Sequence, residues 1–211
     1  MTPPAGSDAG STDLVDRIGA RLDATDAPIR WPDDYGRMLM LVGILLEGHG
    51  WDIGCSDGGL ICRWLANNHR ATALLRDVRD TEEVVLRTAT RFGVRDRVTF
   101  LCSQMPTKHP PPDMKKLDWV TMCEVLEHLT PRKADAMLDS VLERCRRDAH
   151  VIITVPNRFP LAGIVRERWS FEDHRQFFTH ESLELWLQRR FRTVRVTDIV
   201  DGIWLLAQCR T

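Results

Sequence analysis

From residue 50 onward, short apolar runs alternate with amphipathic stretches, and the series closes on two apolar runs separated only by Asp201-Gly202. That order constrains the fold more than any other feature of the chain. The runs "GWDIGC", "ATALLRDV", "RVTFLC", "LDWVTMCEV" and "HVIITVP" read as strands. "LICRWLANN", "DTEEVVLRTATRFGV" and "PRKADAMLDSVLERCRR" read as helices between them, with Pro131 opening the last. Strand alternating with helix predicts an α/β fold: a parallel sheet with right-handed crossovers and helices on both faces. The fifth run is continuous and β-branched, as a strand covered on both faces should be. A further helix, "ESLELWLQRRF", precedes "RTVRVTDIV" and "GIWLLAQCR", whose short connection permits only an antiparallel pair.

Ahead of this series the sequence is less regular. Residues 1–11 are low-complexity, and Leu14, Val15, Ile18 and Leu22 then fall at helical spacing behind a cap from Ser11 to Asp13. "RWPDDYG" breaks the pattern. "MLMLVGILL", about half the length needed to span a bilayer, reads as a buried helix. We therefore expect a tail and cap helix over 1–34 and one domain over 35–211, because 211 residues with 43% hydrophobic content supply one sizeable core. With 29 basic and 30 acidic side chains, the chain is poorly suited to a partner held mainly through phosphates, so nucleic acid is not the expected partner. No N-terminal apolar stretch resembles a signal peptide, and six cysteines without C-x-x-C spacing read as reduced, buried thiols. A cytoplasmic protein without a membrane span is expected.

The stretch "WDIGCSDGGL" narrows the ligand. A phosphate-cradling loop would close on Lys-Ser/Thr, but Gly58-Gly59 is followed by Leu60. A dinucleotide fingerprint would fall on Gly54, Ser56 and Gly59, with the central glycine missing where the backbone must approach a pyrophosphate. S-adenosylmethionine fits better. It carries no phosphate but has a sulfonium and an ammonium, for which Asp52 at the end of the first strand is a counter-charge. Gly54 and Gly58 would let the turn pass close beneath it.

Followed in order by "LDWVTMCEVLEHL", "VIITVPNRFP" and "EDHRQFFTHESLELWL", this loop resembles that of the class I S-adenosylmethionine-dependent methyltransferases. The branch is the one whose fourth-strand motif reads D-x-V-x-x-x-E-V-L-E-H. The resemblance covers about residues 35–209. It implies a Rossmann-like, seven-stranded, mostly parallel sheet with an antiparallel last strand, and S-adenosyl-L-methionine as cofactor. The cofactor residues it implies are Asp52, Gly54, Cys55, Ser56 and Gly58 in the loop, Asp77 and Val78 after the second strand, Gln104 after the third, and Cys123 and Glu124 after the fourth. Asp77 is the best match to the acid that grips the ribose hydroxyls, with Asp80 the alternative. Gln104 can accept the adenine hydrogen bond that an aspartate often takes. Two departures stand out: Ser56 replaces the second loop glycine, and "RRDAH" replaces a Pro-Gly-Gly turn before the fifth strand.

Methyl transfer needs an aligned nucleophile and, for a hydroxyl, a proton acceptor. His128, after the fourth strand, and His174, in "WSFEDHRQFFT", are the catalytic candidates. Glu124, Glu127, His128 and His174 also form a set suited to a divalent ion, since residues three and four apart on a helical turn share a face. The set is similar to that of the small-RNA 3'-terminal 2'-O-methyltransferases and of some ubiquinone-pathway O-methyltransferases. E-x-x-E-H occurs across the wider family without metal, so an ion is an alternative and not the expectation. The segment around 157–180 is expected to form an acceptor lid. Trp31, Trp169, Phe171, Phe177 and Phe178 suit an acceptor with a flat or apolar part, and Arg166, Arg168 and Arg175 offer charge for a carboxylate or phosphate. The leading expectation is methylation of an oxygen or nitrogen of a small organic acceptor by a monomer or homodimer. The alternatives are a metal-assisted 2'-O-methyltransferase acting on an RNA 3' end, and a silent protein that only binds S-adenosylmethionine.

Overall fold

The computed structural model describes residues 46–78, 80–103, 116–158, 173–199 and 202–211. The expected N-terminal helices, Gln104 and the middle of the expected lid lie outside these residues. The strands are β1 Gly48–Ile53, β2 Ala71–Asp77, β3 Val98–Cys102, β4 Leu117–Cys123, β5 Cys145–Pro156, β6 Thr193–Ile199 and β7 Trp204–Arg210. Between them lie the helices α1 Gly59–Asn67, α2 Glu82–Arg91, α3 Pro131–Leu142 and α4 His180–Gln188. The seven strands form one sheet in the order β3-β2-β1-β4-β5-β7-β6. The first five are parallel, and β7 runs antiparallel to both of its neighbours, as the short Asp201-Gly202 connection requires.

Period-two alternation divides the core between the two faces of the sheet. Trp51, Val120, Met122, Ile153 and Leu205 point to one face, where Leu138 and Val141 of α3 and Leu183 and Leu187 of α4 cover them. Trp119, Ile152, Trp204 and Leu206 point to the other, covered by Ile61 and Leu65 of α1 and Val85 and Ala89 of α2. The continuous apolar run in β5 is explained by this double cover. No helix among the described residues is long and apolar enough to cross a membrane.

Gly50, in the middle of β1, is required by packing rather than by a turn. A Cβ there would lie 1.9 Å from two ring atoms of Trp119, itself 1% exposed. Gly50→Ala is therefore expected to destabilise the fold by at least about 3 kcal/mol, the upper range for overpacking a rigid core. Denaturant unfolding checks this, and a midpoint unchanged from wild type would contradict the packing.

Two expectations are corrected. The helix beginning at Pro131 ends at Leu142, not at Arg147, and β5 starts at Cys145. Cys145 and Ala149 are buried in the core, and Asp148 takes a left-handed conformation (φ 68°) between them. Its carboxylate pairs with Arg192 and its carbonyl accepts from Arg210 Nη1 at 2.9 Å, so Asp148 makes the bend without a glycine. The cysteines are all free thiols, but not all are buried: Cys102 ends the edge strand β3 in an exposed position, and Cys123 is half-buried.

Candidate active site

In open α/β sheets the crevice for ligands opens beyond the carboxyl ends of the strands, where the order reverses. Here that point lies between β1 and β4. The turn after β1 holds three left-handed residues: Gly54 (φ 77°), Ser56 (φ 51°) and Gly58 (φ 72°). A Cβ at Gly54 would stand 2.5 Å from Val125 Cγ2, and one at Gly58 would stand 2.8 Å from Leu75 Cδ2. Both positions thus need glycine for conformation and for space. Ser56 adopts the same conformation at a cost of roughly 1–2 kcal/mol, offset by its N–H donating to Asp77 Oδ2 at 2.9 Å. The departure from glycine leaves the turn intact and ties it to the end of β2.

Asp52 is 4% exposed, and Thr121 Oγ1 donates to its Oδ1 at 2.5 Å. Burial pushes its carboxyl up to about 7; the Thr121 hydroxyl opposes the rise and the charge of Asp77 adds to it. The thiols of Cys55 and Cys123 are raised, first by burial and then by the charge of Asp52. They stay protonated, which removes them as nucleophiles.

Beyond β4 the chain bends at Glu124, which is left-handed (φ 57°). Three bonds hold it there. Its N–H donates to the Thr154 carbonyl at 3.0 Å, while its carboxylate accepts from Thr154 Oγ1 at 3.0 Å and from Trp204 Nε1 at 2.8 Å. The bend leads into a single 3-10 turn, Leu126–His128, separate from α3. Glu127 in that turn is 2% exposed, and neither carboxylate oxygen meets a hydrogen-bond partner. Burial, and then the charge of Glu124, hold its carboxyl well above the ordinary carboxylate range. The segment with His174 is strapped to the same turn: Arg175 N–H donates to the Glu127 carbonyl at 2.7 Å, and Gln176 Nε2 to the Leu126 carbonyl at 2.8 Å.

The outcome is that His128 and His174, far apart in sequence, meet with ring centroids 4.9 Å apart in an edge-to-face contact. Ligating atoms of Glu127, His128 and His174 all lie within 4.8 Å of one another. His174 is held below its ordinary value of 6.5 by burial and by His128, with Asp173 opposing. A cavity of about 710 Å³ runs from His128 of this cluster to Gly54 of the glycine turn, lined also by Asp77, Val78, Glu124 and Arg175 among others.

The methyltransferase-domain family model matches residues 51–151, which span β1 to β5 with the glycine turn and the Glu124 bend. Residues 51–151 thus match a methyltransferase domain. Solved structures share the fold. An O-methyltransferase family protein of Burkholderia thailandensis superposes with a TM-score of 0.65 at 13% identity, over 95% of this chain and 68% of that one. The methyltransferase domain of a bacterial Hen1, CtHen1-C, gives 0.64 at 19% identity, over 83% and 95%. The N-methyltransferase NodS of Bradyrhizobium japonicum, in complex with S-adenosyl-L-homocysteine, gives 0.61 at 15%, over 93% and 97%. A search of curated proteins finds no match to the sequence.

Within this fold the residues expected from sequence fall into two groups. Asp52, Gly54, Cys55, Ser56, Gly58, Asp77, Val78, Cys123 and Glu124 stand at the carboxyl ends of β1, β2 and β4, around the switch point. His128, His174 and Glu127 stand together beyond them. Within the alternative metal set, Glu124 is set apart by its bonds to Thr154 and Trp204. His180 pairs with Asp198 at 3.0 Å, while Thr179 caps α4. Sequence reading missed Thr121, Thr154 and Trp204, the residues that hold the acids. Threonine inside the apolar runs "DWVTMC" and "VIITVP" was the available signal; nothing local marked Trp204.

Proposed function

We propose that this methyltransferase moves the methyl group of S-adenosylmethionine to a hydroxyl or amino group of a small organic acceptor held against His128 and His174. The observation that carries the reading is the contact of His174 with His128, which lines the cavity that begins at the glycine turn. In the transfer, the bond from methyl carbon to sulfur breaks with its electron pair staying on sulfur. The acceptor's oxygen or nitrogen forms the new bond to carbon, and its proton passes to an imidazole nitrogen. His174, lowered by burial and by His128, is unprotonated at neutral pH and can take that proton. Asp52 supports the cationic amino-acid end of the cofactor, and Asp77 its ribose hydroxyls. The test is release of S-adenosylhomocysteine with a panel of phenols, alcohols and amines. Intact cofactor binding with no acceptor-dependent release from any of them would reject the small acceptor.

A second reading is favoured by one specific observation. Glu127 is a buried carboxyl group with neither oxygen hydrogen-bonded, and its Oε1 lies 3.9 Å from His128 Nε2. That donor set fits a divalent ion, held by Glu127, His128 and His174. An ion there would supply Lewis-acid activation of a hydroxyl, such as the terminal 2'-hydroxyl of an RNA 3' end. The two readings separate on chelation. The first expects release of S-adenosylhomocysteine to be unaffected by EDTA. The second expects complete loss, recovery with Mg²⁺ or Mn²⁺, and Glu127→Gln as damaging as the loss of either histidine.

A further inference from the structure

The rim of the cavity carries features that the methyl transfer itself does not use. Along 173–178 exposure alternates: His174, Gln176 and Phe178 turn inward, while Asp173, Arg175 and Phe177 are exposed. The straps to Glu127 and Leu126 fix this segment on the site. Phe177 is 53% exposed, and its ring lies 6.2 Å from that of His174. Arg175 lines the cavity, and so does Lys133, exposed on the first turn of α3. The cavity wall thus carries Lys133 and Arg175 together with Asp173, while its other charged groups, Arg76, Asp77 and Glu124, sit at the ends of β2 and β4; the ring of Phe177 stands beside His174.

We propose that Lys133, Arg175 and Phe177 form the acceptor's docking subsite, and that the acceptor is a planar-ring compound bearing a phosphate or carboxylate. The proposal rests on the acceptor pocket described under Proposed function and names the class of compound it takes. Arg175 and Lys133 pair with the anion, and Phe177 offers its face to the ring. The group to be methylated is then left facing His128 and His174. The rival use for the two cations is the carboxylate of the cofactor's own amino-acid end, and the experiment separates the two.

Protein saturated with S-adenosylhomocysteine is titrated calorimetrically with adenosine 5'-monophosphate against adenosine, and with 2-hydroxybenzoate against 2-hydroxybenzamide. At least one anion should bind roughly five- to thirtyfold more tightly than its neutral partner, the range that two partly exposed ion pairs supply, and added salt should shrink the margin. The monophosphate alone showing the margin assigns a phosphate-bearing acceptor; the benzoate alone assigns a carboxylate-bearing one; both together leave the subsite selecting charge and ring only. Lys133→Gln with Arg175→Gln should erase the margin while S-adenosylhomocysteine binds within about threefold of wild type. Phe177→Ala should weaken charged and neutral probes alike. Equal binding of anions and neutral partners overturns the proposal, and so does a loss of S-adenosylhomocysteine in the Lys133/Arg175 variant, which would give the cations to the cofactor. An anion margin that persists in a protein with no acceptor-dependent methyl transfer would sink the proposed function and leave the subsite standing.

Discussion

His174→Ala is expected to slow methyl transfer to a hydroxyl acceptor by roughly 10²–10⁴-fold, the usual worth of a positioned base, with cofactor affinity nearly unchanged. His128→Ala should do the same if the two imidazoles work as a pair. The pH profile distinguishes their roles. The rate should rise with pH as His174 loses its proton and level off below its ordinary value of 6.5, because burial and then His128 hold it down. In His128→Ala one of those two causes is gone, so the inflection should move up. Initial rates of S-adenosylhomocysteine release across the acidic and neutral range check both points. A profile that stays flat, or an inflection indifferent to His128, would remove the histidines from the proton transfer.

The second large effect concerns Asp52. Asp52→Ala should weaken S-adenosylmethionine binding by about a hundredfold or more, because removing one partner of a buried ion pair costs roughly 3–5 kcal/mol. The wild-type protein should also show the acid's titration. With its carboxyl raised to about 7, Asp52 is protonated below that pH and must ionise to meet a cationic ligand. Affinity should therefore climb as pH rises towards 7, by up to about tenfold per unit, and level off above it, with proton release on binding below 7. Stability of the free protein runs the other way. A carboxyl raised in the folded state holds a proton that the unfolded chain has shed, so its contribution is present at low pH and is lost as pH rises through 7. Cofactor should reverse that loss. Calorimetry in buffers of different ionisation enthalpy measures the proton release; its absence at acidic pH would mean that Asp52 does not face the cation.

Much of this is legible in the sequence. The strand and helix runs, the antiparallel closing pair and the convergence of loop, β2 and β4 at one edge follow from periodicity and connection length, which are local properties. The sequence predicts a longer helix than the one ending at Leu142 because "ERCRR" has good helical composition. What ends it is tertiary: Cys145 and Ala149 enter the core, and Asp148 takes a bend that only the sheet makes worthwhile. The pairing of His128 with His174 is an expectation from their placement after strands whose carboxyl ends form the site, and the bonds that produce it run to the carbonyls of Glu127 and Leu126, which no side-chain pattern encodes. Trp204 was invisible for a stronger reason: it reaches Glu124 only because β7 lies beside β5 in reversed direction.

That reversed strand has a consequence for how the protein comes into being. The second half of β5, Val151 to Pro156, is buried throughout, and β7 covers the outer edge of β5 from His150 to Pro156. During synthesis β5 leaves the ribosome well before β7, so a nascent chain carries an open, β-branched edge of the kind that recruits other chains. The Glu124 bend likewise gains its last side-chain donor, the Trp204 indole, only with the same late strand. Maturation of the site and protection from aggregation are thus a single late event in the life of each molecule.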